Sequence, residues 1–327
     1  DFYEDYIEKY PYPTLTIVSP PFYGLAAGAM EYPTLITSPT MSGFPSGIRT
    51  TETLVIHELT HQYFMQMLST NEQEEPWMDE GFTSFFEAKI MDKHYPDGVV
   101  SLDYWNIHIL SSELRRGRFL AGSNIKANPI SHFGWMTHHE NFSQIVYGKT
   151  AIWLQTLEGL VGKKVMQEII QTYFKEWKFK HPGRQDFIDI VNKTIPKHYN
   201  EDFSEYINSF LQQAIFGTEV CDYAVHSIEN DAITTPLGFF ENTEDCLTPT
   251  DDLTEVLYES SFTIFRLGEF LVPQEILITF DNGETEMTQW DGKSRTLVTK
   301  YEGTRQIASV QIDPNFKIPL DKNLINN

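Results

Sequence analysis

The spacing of apolar and polar positions changes character twice along the chain. Residues 14–19 (TLTIVS) and 32–38 (YPTLITS) are rich in β-branched side chains and bounded by Pro and Gly, the pattern of short strands. A small sheet is therefore expected to open the chain. From about residue 51 to 214 the spacing shifts to that of amphipathic helices, with runs at 51–68, 77–93, 101–116, 142–160, 163–177, 185–193 and 203–214. Past Phe216-Gly217 alternation takes over. Ile276, Ile278 and Phe280 share one strand face that runs into Asp281-Asn282-Gly283, and Asn-Gly there signals a hairpin because both central residues need positive φ. These patterns predict an α+β chain of two domains: 1–217, a small N-terminal sheet with a mostly helical remainder, and 218–327, all-β and sandwich-like.

Length and charge narrow the picture further. At 327 residues the chain passes the roughly 250–300 residues at which a single core stops growing, which again implies two packed units. With 41% apolar and 14% aromatic residues, it has ample material for a core. A net charge of −22 repels phosphate backbones and anionic lipid, so no nucleic-acid partner is expected. The uncharged stretch 10–30 would be long enough to span a bilayer, but Pro11, Pro13, Pro20 and Pro21 break any helix through it, and no membrane span is expected. The chain opens at Asp1 with no basic stretch, apolar run or initiator Met, and reads as a processed or excised piece. Cys221 and Cys246 could pair or stay apart, which leaves the compartment open.

The chemistry lies in His57-Glu58-Leu59-Thr60-His61. Four residues along a helix turn by about 400°, so both imidazoles project from nearly one face, one turn apart, as a bidentate metal grip. A catalytic zinc site takes three protein ligands and keeps a position open. Glu80 is the candidate third ligand, eighteen residues beyond His61, in Trp77-Met78-Asp79-Glu80-Gly81-Phe82 at the start of the next expected helix. One Zn2+ per chain is expected. Glu58, between the ligands in sequence, is placed to take a proton from a metal-activated water and return it to a leaving amine. The alternative is a pair of ordinary helix histidines flanking a solvated Glu.

His57-Glu58-x-x-His61 with Glu80 and Gly81-Phe82 resembles the gluzincin metallopeptidases, specifically the aminopeptidase N family. Gly28-Ala29-Met30-Glu31 is similar to that family's Gly-x-Met-Glu-Asn exopeptidase motif, with Tyr32 where the family carries Asn. Tyr147-Gly148-Lys149 falls about where the family keeps its transition-state Tyr, and Arg266-Leu267-Gly268, Trp290-Asp291-Gly292 and Asp313-Pro314 are similar to bacterial members. The resemblance implies a thermolysin-like zinc peptidase domain followed by a β-domain, acting on peptide substrates. It puts the zinc ligands on His57, His61 and Glu80, the general base on Glu58 and the oxyanion-stabilising phenol on Tyr147. Glu31 would anchor the substrate ammonium, with Gly28, Ala29 and Met30 forming the strand along which peptide binds. It also implies an N-terminal β-domain of the same protein as a missing partner.

Other residues carry less. Glu87, seven residues past Glu80 on the same helical face, could accept a hydrogen bond from the far nitrogen of a ligand histidine, and Asp79 could cap its helix. His108, His132, His138 and His139 lack a matching carboxylate spacing, His226 in the β-domain reads as structural, and Met65 and Met67 read as core. The function expected is removal of N-terminal residues from peptides. The alternatives are an endopeptidase of the same fold and a catalytically weak fragment or interaction module of a larger peptidase.

Overall fold

The computed structural model describes residues 2–325 apart from 22, 25–27, 41–42, 46, 123–125, 127, 137–138 and 234–255. Cys246 and His138 lie outside the described residues. The chain forms two compact units, Asp1–Val220 with Lys317–Lys322, and Cys221–Phe316 with Asn323–Asn327.

The first unit opens on a short helix α1 (Phe2–Tyr6), which precedes the expected sheet. Strands β1 (Thr16–Val18) and β2 (Leu35–Thr37) follow and pair in parallel, Ile17 opposite Ile36. Helix α2 (Thr50–Phe64) carries the histidine motif. A π-helical turn, Trp77–Gly81, leads into α3 (Phe82–His94). The helix expected over 101–116 is a correction: its first half is a hairpin of β3 (Val100–Leu102) and β4 (Ile107–Ile109), and only then does α4 (Ser111–Leu120) begin. Asn106 turns that hairpin with φ +51°, a conformation its short polar side chain tolerates, and Ile107 and Ile109 alternate with His108 as strand residues do. The α4 start is held by Glu113, whose carboxylate accepts the Leu110 N–H at 2.8 Å.

Helix α5 (His139–Phe142) runs into a second π-helical segment, Ser143–Lys149, and then α6 (Thr150–Val161). Helices α7 (Lys163–Trp177), α8 (Arg184–Thr194) and α9 (Glu201–Phe216) complete the unit. Gly162 joins α6 to α7 at φ +79°, ψ 151°, a backbone shape that only glycine takes without strain. Asn200 caps α9 by accepting the Phe203 N–H at 3.0 Å.

An aromatic core locks these helices around the motif. Phe64 of α2 stacks on Phe86 of α3 at 4.7 Å and meets Phe174 of α7 edge-on at 5.3 Å, while Phe82 meets Phe187 of α8 at 5.0 Å. All five rings are almost wholly buried. At about 1.5–3 kcal/mol for each buried side chain, this cluster gives α2 and α3 a fixed relation to each other.

The second unit contains two three-stranded antiparallel sheets, β5-β6-β9 and β10-β7-β8. Their strands are β5 (Tyr223–Ala232), β6 (Tyr258–Arg266), β7 (Gln274–Phe280), β8 (Thr285–Trp290), β9 (Thr296–Gly303) and β10 (Ile307–Ile312). Ile276, Ile278 and Phe280 are the buried face of β7, as their alternation predicts. The turn at Asp281-Asn282-Gly283 joins β7 to β8 as a three-residue loop. Only Gly283 takes positive φ, +83°, so this is not the two-residue Asn-Gly type. Among the described residues no helix is long and apolar enough to cross a membrane.

Candidate active site

His57 and His61 stand one turn apart on α2 with ring centroids 4.9 Å apart and planes near perpendicular. Their Nε2 atoms lie 3.2 and 3.3 Å from the same oxygen, Oε2 of Glu80. Glu80 sits in the π-helical turn before α3, where the wider turn re-aims the side chain relative to a regular helix. Tyr147 comes from the second π-helical segment, and its hydroxyl donates to the other Glu80 oxygen. Both π turns thus carry a residue of one cluster.

The far nitrogens are fixed as well. His61 Nδ1 lies 2.6 Å from Asp79 Oδ1 and 3.2 Å from Thr83 Oγ1. His57 Nδ1 lies 3.3 Å from Glu87 Oε2. Glu87 is wholly buried, takes the Ser111 hydroxyl on Oε1 at 2.8 Å and forms an ion pair with Arg115. These carboxylates assign a proton to each Nδ1, which leaves both Nε2 lone pairs turned toward Glu80. In that tautomer three acceptors face one another, an arrangement that a cation among them satisfies. The imidazole–imidazole–carboxylate set matches a zinc site with an open position, and His57, His61 and Glu80 place their ligand atoms within 4.8 Å of one another. The residues fit the metal.

Electrostatics follow from burial and neighbours. Burial pushes the His57 imidazolium down. Burial acts the same way on His61, but Asp79 outweighs it and holds His61 well above the usual range. Burial raises the Glu80 carboxyl, yet the two imidazoles at its Oε2, His57 and His61, prevail and hold it well below the usual range. Glu58 is 3% exposed; burial pushes it up to about 7, with Glu31 and Glu80 adding to the rise and the two histidines opposing it. Its Oε2 is buried with no hydrogen-bond partner among the described residues. A carboxylate left unpaired in this way is poised to take a proton.

A cavity of about 1140 Å³ reaches this cluster and is lined by Met30, Glu31, His57, Glu58, Glu80 and Tyr147, among others. Ala29 also faces it. Gly28, at φ +63°, precedes them and does not line it; its carbonyl accepts the Thr37 hydroxyl at 3.1 Å. Met30 pairs with Thr37 in an antiparallel bridge. The Glu31 carbonyl accepts from Gln62 Nε2 at 3.1 Å and Gln66 Nε2 at 2.7 Å, so α2 and the turn after it anchor this segment directly.

Several of these roles escape a reading of the sequence. Asp79 holds His61 instead of capping a helix, and the signal was its position beside Glu80. Gln62 and Gln66 follow Glu58 at intervals of four residues, Gln62 on α2 and Gln66 in the turn just after it, and neither carries a local signal for this anchoring. Arg115 and Ser111 carry no local signal for their contact with Glu87.

Residues 1–217 match the sequence profile of the peptidase family M1 domain. The chain is 26% identical over 216 residues to probable aminopeptidase 1 of Sulfurisphaera tokodaii, covering 63% of this chain and 26% of that protein. It is 27% identical over 209 residues to aminopeptidase M1-C of Oryza sativa subsp. japonica, covering 59% and 22%. The chain therefore spans about a quarter of the length of these relatives. In fold it is similar to Legionella pneumophila aminopeptidase A, with a TM-score of 0.62 at 14% identity over 98% of this chain and 33% of that one. With a profile match over about two thirds of its length, this chain belongs to peptidase family M1.

Proposed function

We propose that the chain hydrolyses peptide bonds with zinc and removes residues from peptide N-termini. Residues 1–217 act as a thermolysin-like catalytic domain, and 218–327 form a β-sandwich-like domain. The observation that carries this reading is the convergence of both Nε2 atoms on Glu80 Oε2, with each Nδ1 held by a buried carboxylate.

His57, His61 and Glu80 would hold the zinc, which when bound supplies a Lewis acid that acidifies water and polarises a carbonyl. Glu58 accepts the proton of the attacking water and passes it to the departing amine, a task suited to a carboxylate pushed up to about 7. Tyr147 exchanges its bond to Glu80 for one to the oxyanion of the tetrahedral state, charge that the bound peptide does not yet carry. Glu31 pairs with the substrate ammonium and sets the amino-terminal register.

The test is Glu58→Gln, assayed for zinc content and for release of alanine from free and N-acetylated peptides. Retained zinc, lost turnover and a wild-type preference for the free amine are expected. Wild type without zinc after zinc-supplemented purification, or an active Glu58→Gln variant, would overturn the reading. Equal cleavage of free and acetylated peptides would move it to an endopeptidase.

A further inference from the structure

Helix α4 presents Ser111, Leu114, Arg115 and Arg118 to the cavity, spacings of three and four residues that mark one helix face. That face is cationic; of the other charged groups that line the cavity, Glu31 and Glu58 are acidic and Arg49 is paired with Glu52, and the whole chain carries −22. Arg115 is spent on Glu87, and Glu87 is in turn shared with His57 and Ser111. Arg118 is exposed, repels Arg115, and has no hydrogen-bonding or ion-pair partner among the described residues. Glu113, the acidic side chain of α4 that also faces the cavity, is engaged with the Leu110 N–H.

We propose that Arg118, with Arg115 behind it, is a specificity residue that binds a carboxylate carried by the substrate. A guanidinium offers a planar fork of donors matched to the two oxygens of a carboxylate. Arg115 cannot rotate away to serve that role without abandoning Glu87, so the free fork is Arg118. Glu31 and Arg118 then form two poles of one cleft, one for the ammonium and one for the carboxylate. This inference rests on the proposed peptidase reading and names its substrate class: short peptides bearing a carboxylate near the scissile bond. That carboxylate can belong to the first residue, to the second, or to a free C-terminus.

The experiment is equilibrium binding to zinc-loaded protein carrying Glu58→Gln, with and without Arg118→Gln, using three pairs of peptides. Aspartyl-alanine amide against asparaginyl-alanine amide reads the first side chain. Alanyl-aspartate amide against alanyl-asparagine amide reads the second, and trialanine against trialanine amide reads the C-terminus. The carboxylate-bearing member of at least one pair is expected to bind about tenfold tighter or more, and Arg118→Gln to bring that ratio close to one. Ratios near one in all three pairs, or a preference that survives Arg118→Gln, would overturn the proposal, as would failure of every peptide to bind. Turnover of the same peptides by protein with Glu58 intact separates the two readings. Absent cleavage alongside an intact binding preference sinks the peptidase and leaves the carboxylate site standing.

Discussion

Thr150 fills the space that a side chain on Gly81 would need. A Cβ on Gly81 would stand 2.2 Å from Thr150 Cγ2 and 2.9 Å from the Val146 carbonyl oxygen. Gly81 ends the π turn that carries Glu80; Val146 precedes Tyr147 on the other π segment, and Thr150 opens α6 directly after that segment. The bare glycine therefore sets how near Glu80 and Tyr147 can come.

Gly81→Ala should accordingly separate the two π turns. Overpacking of this kind costs roughly 1–3 kcal/mol, and here it falls on a metal ligand and its hydrogen-bonded phenol. Thermal unfolding should shift down, and zinc affinity should fall with it. Thr150→Ala in the same chain removes Cγ2 and should recover only a small part of the loss, since the Cβ of residue 150, 2.4 Å away, and the Val146 carbonyl remain in the way. Independent, additive effects of the two substitutions would show that the contact is not what matters.

The contrast between α7 and the 101–116 segment shows what the sequence makes legible. Helix α7 spans the run expected for it, because Val165, Met166, Ile169, Ile170, Tyr173 and Phe174 form a continuous buried stripe. In 101–116 the strands are only three residues long, and a helical period read across both strands and the turn at Asn106 hid the hairpin. That His57, His61 and Glu80 come together was legible since metal chemistry constrains their spacing. The π turns at 77–81 and 143–149 were not, because one extra residue in a turn is decided by distant contacts such as Gly81 against Thr150. Arg115 was invisible for the same reason: its partner Glu87 lies on another helix.

Asp79 and Glu87 should matter to the metal and not directly to the reaction. Each fixes an imidazole by its far nitrogen, and replacing such a partner typically lowers metal affinity 10–100-fold. Asp79→Asn should weaken zinc binding within about that range in a chelator competition, because the amide no longer accepts as a carboxylate does. Glu87→Gln should do the same and also leave Arg115 buried without its counter-charge, so its unfolding midpoint should drop further than that of Asp79→Asn. Unaltered zinc affinity in both variants would remove the two carboxylates from the metal site.

Lys149 supplies a pH signature of stability. The side chain is 2% exposed and its ammonium donates to the Gly217 carbonyl at 3.2 Å. Burial pushes it down from 10.5 to about 8, while Glu219 pulls it partly back. Below pH 8 the folded and unfolded chains both hold this proton, and the cost of the buried charge is fully present. Between 8 and 10.5 the unfolded chain holds the proton more tightly, so folding becomes more favourable as pH rises across that window. Relative to Lys149→Met, wild type should gain on the order of 3 kcal/mol from pH 7.5 to 10.5 at 1.36 kcal/mol per pKa unit. Urea unfolding of both proteins across that range measures it, and parallel curves would mean that the lysine titrates alike in both states.

Tyr147→Phe distinguishes an oxyanion donor from a residue that merely orients Glu80. Its hydroxyl donates to Glu80 at rest, and burial, with the neighbouring carboxylate adding to it, pushes the phenol well above its usual range. The phenol is therefore held protonated as a hydrogen-bond donor. If it turns that donor toward the reacting oxygen, its loss should cost about 2.7–4 kcal/mol in the transition state, on the order of a hundred to a thousandfold in kcat, with KM little changed. Zinc affinity should change much less than in Asp79→Asn, since Glu80 keeps both histidine contacts. Should kcat instead recover at saturating zinc, the phenol would act on Glu80 alone, and the oxyanion would need another donor from the cleft wall.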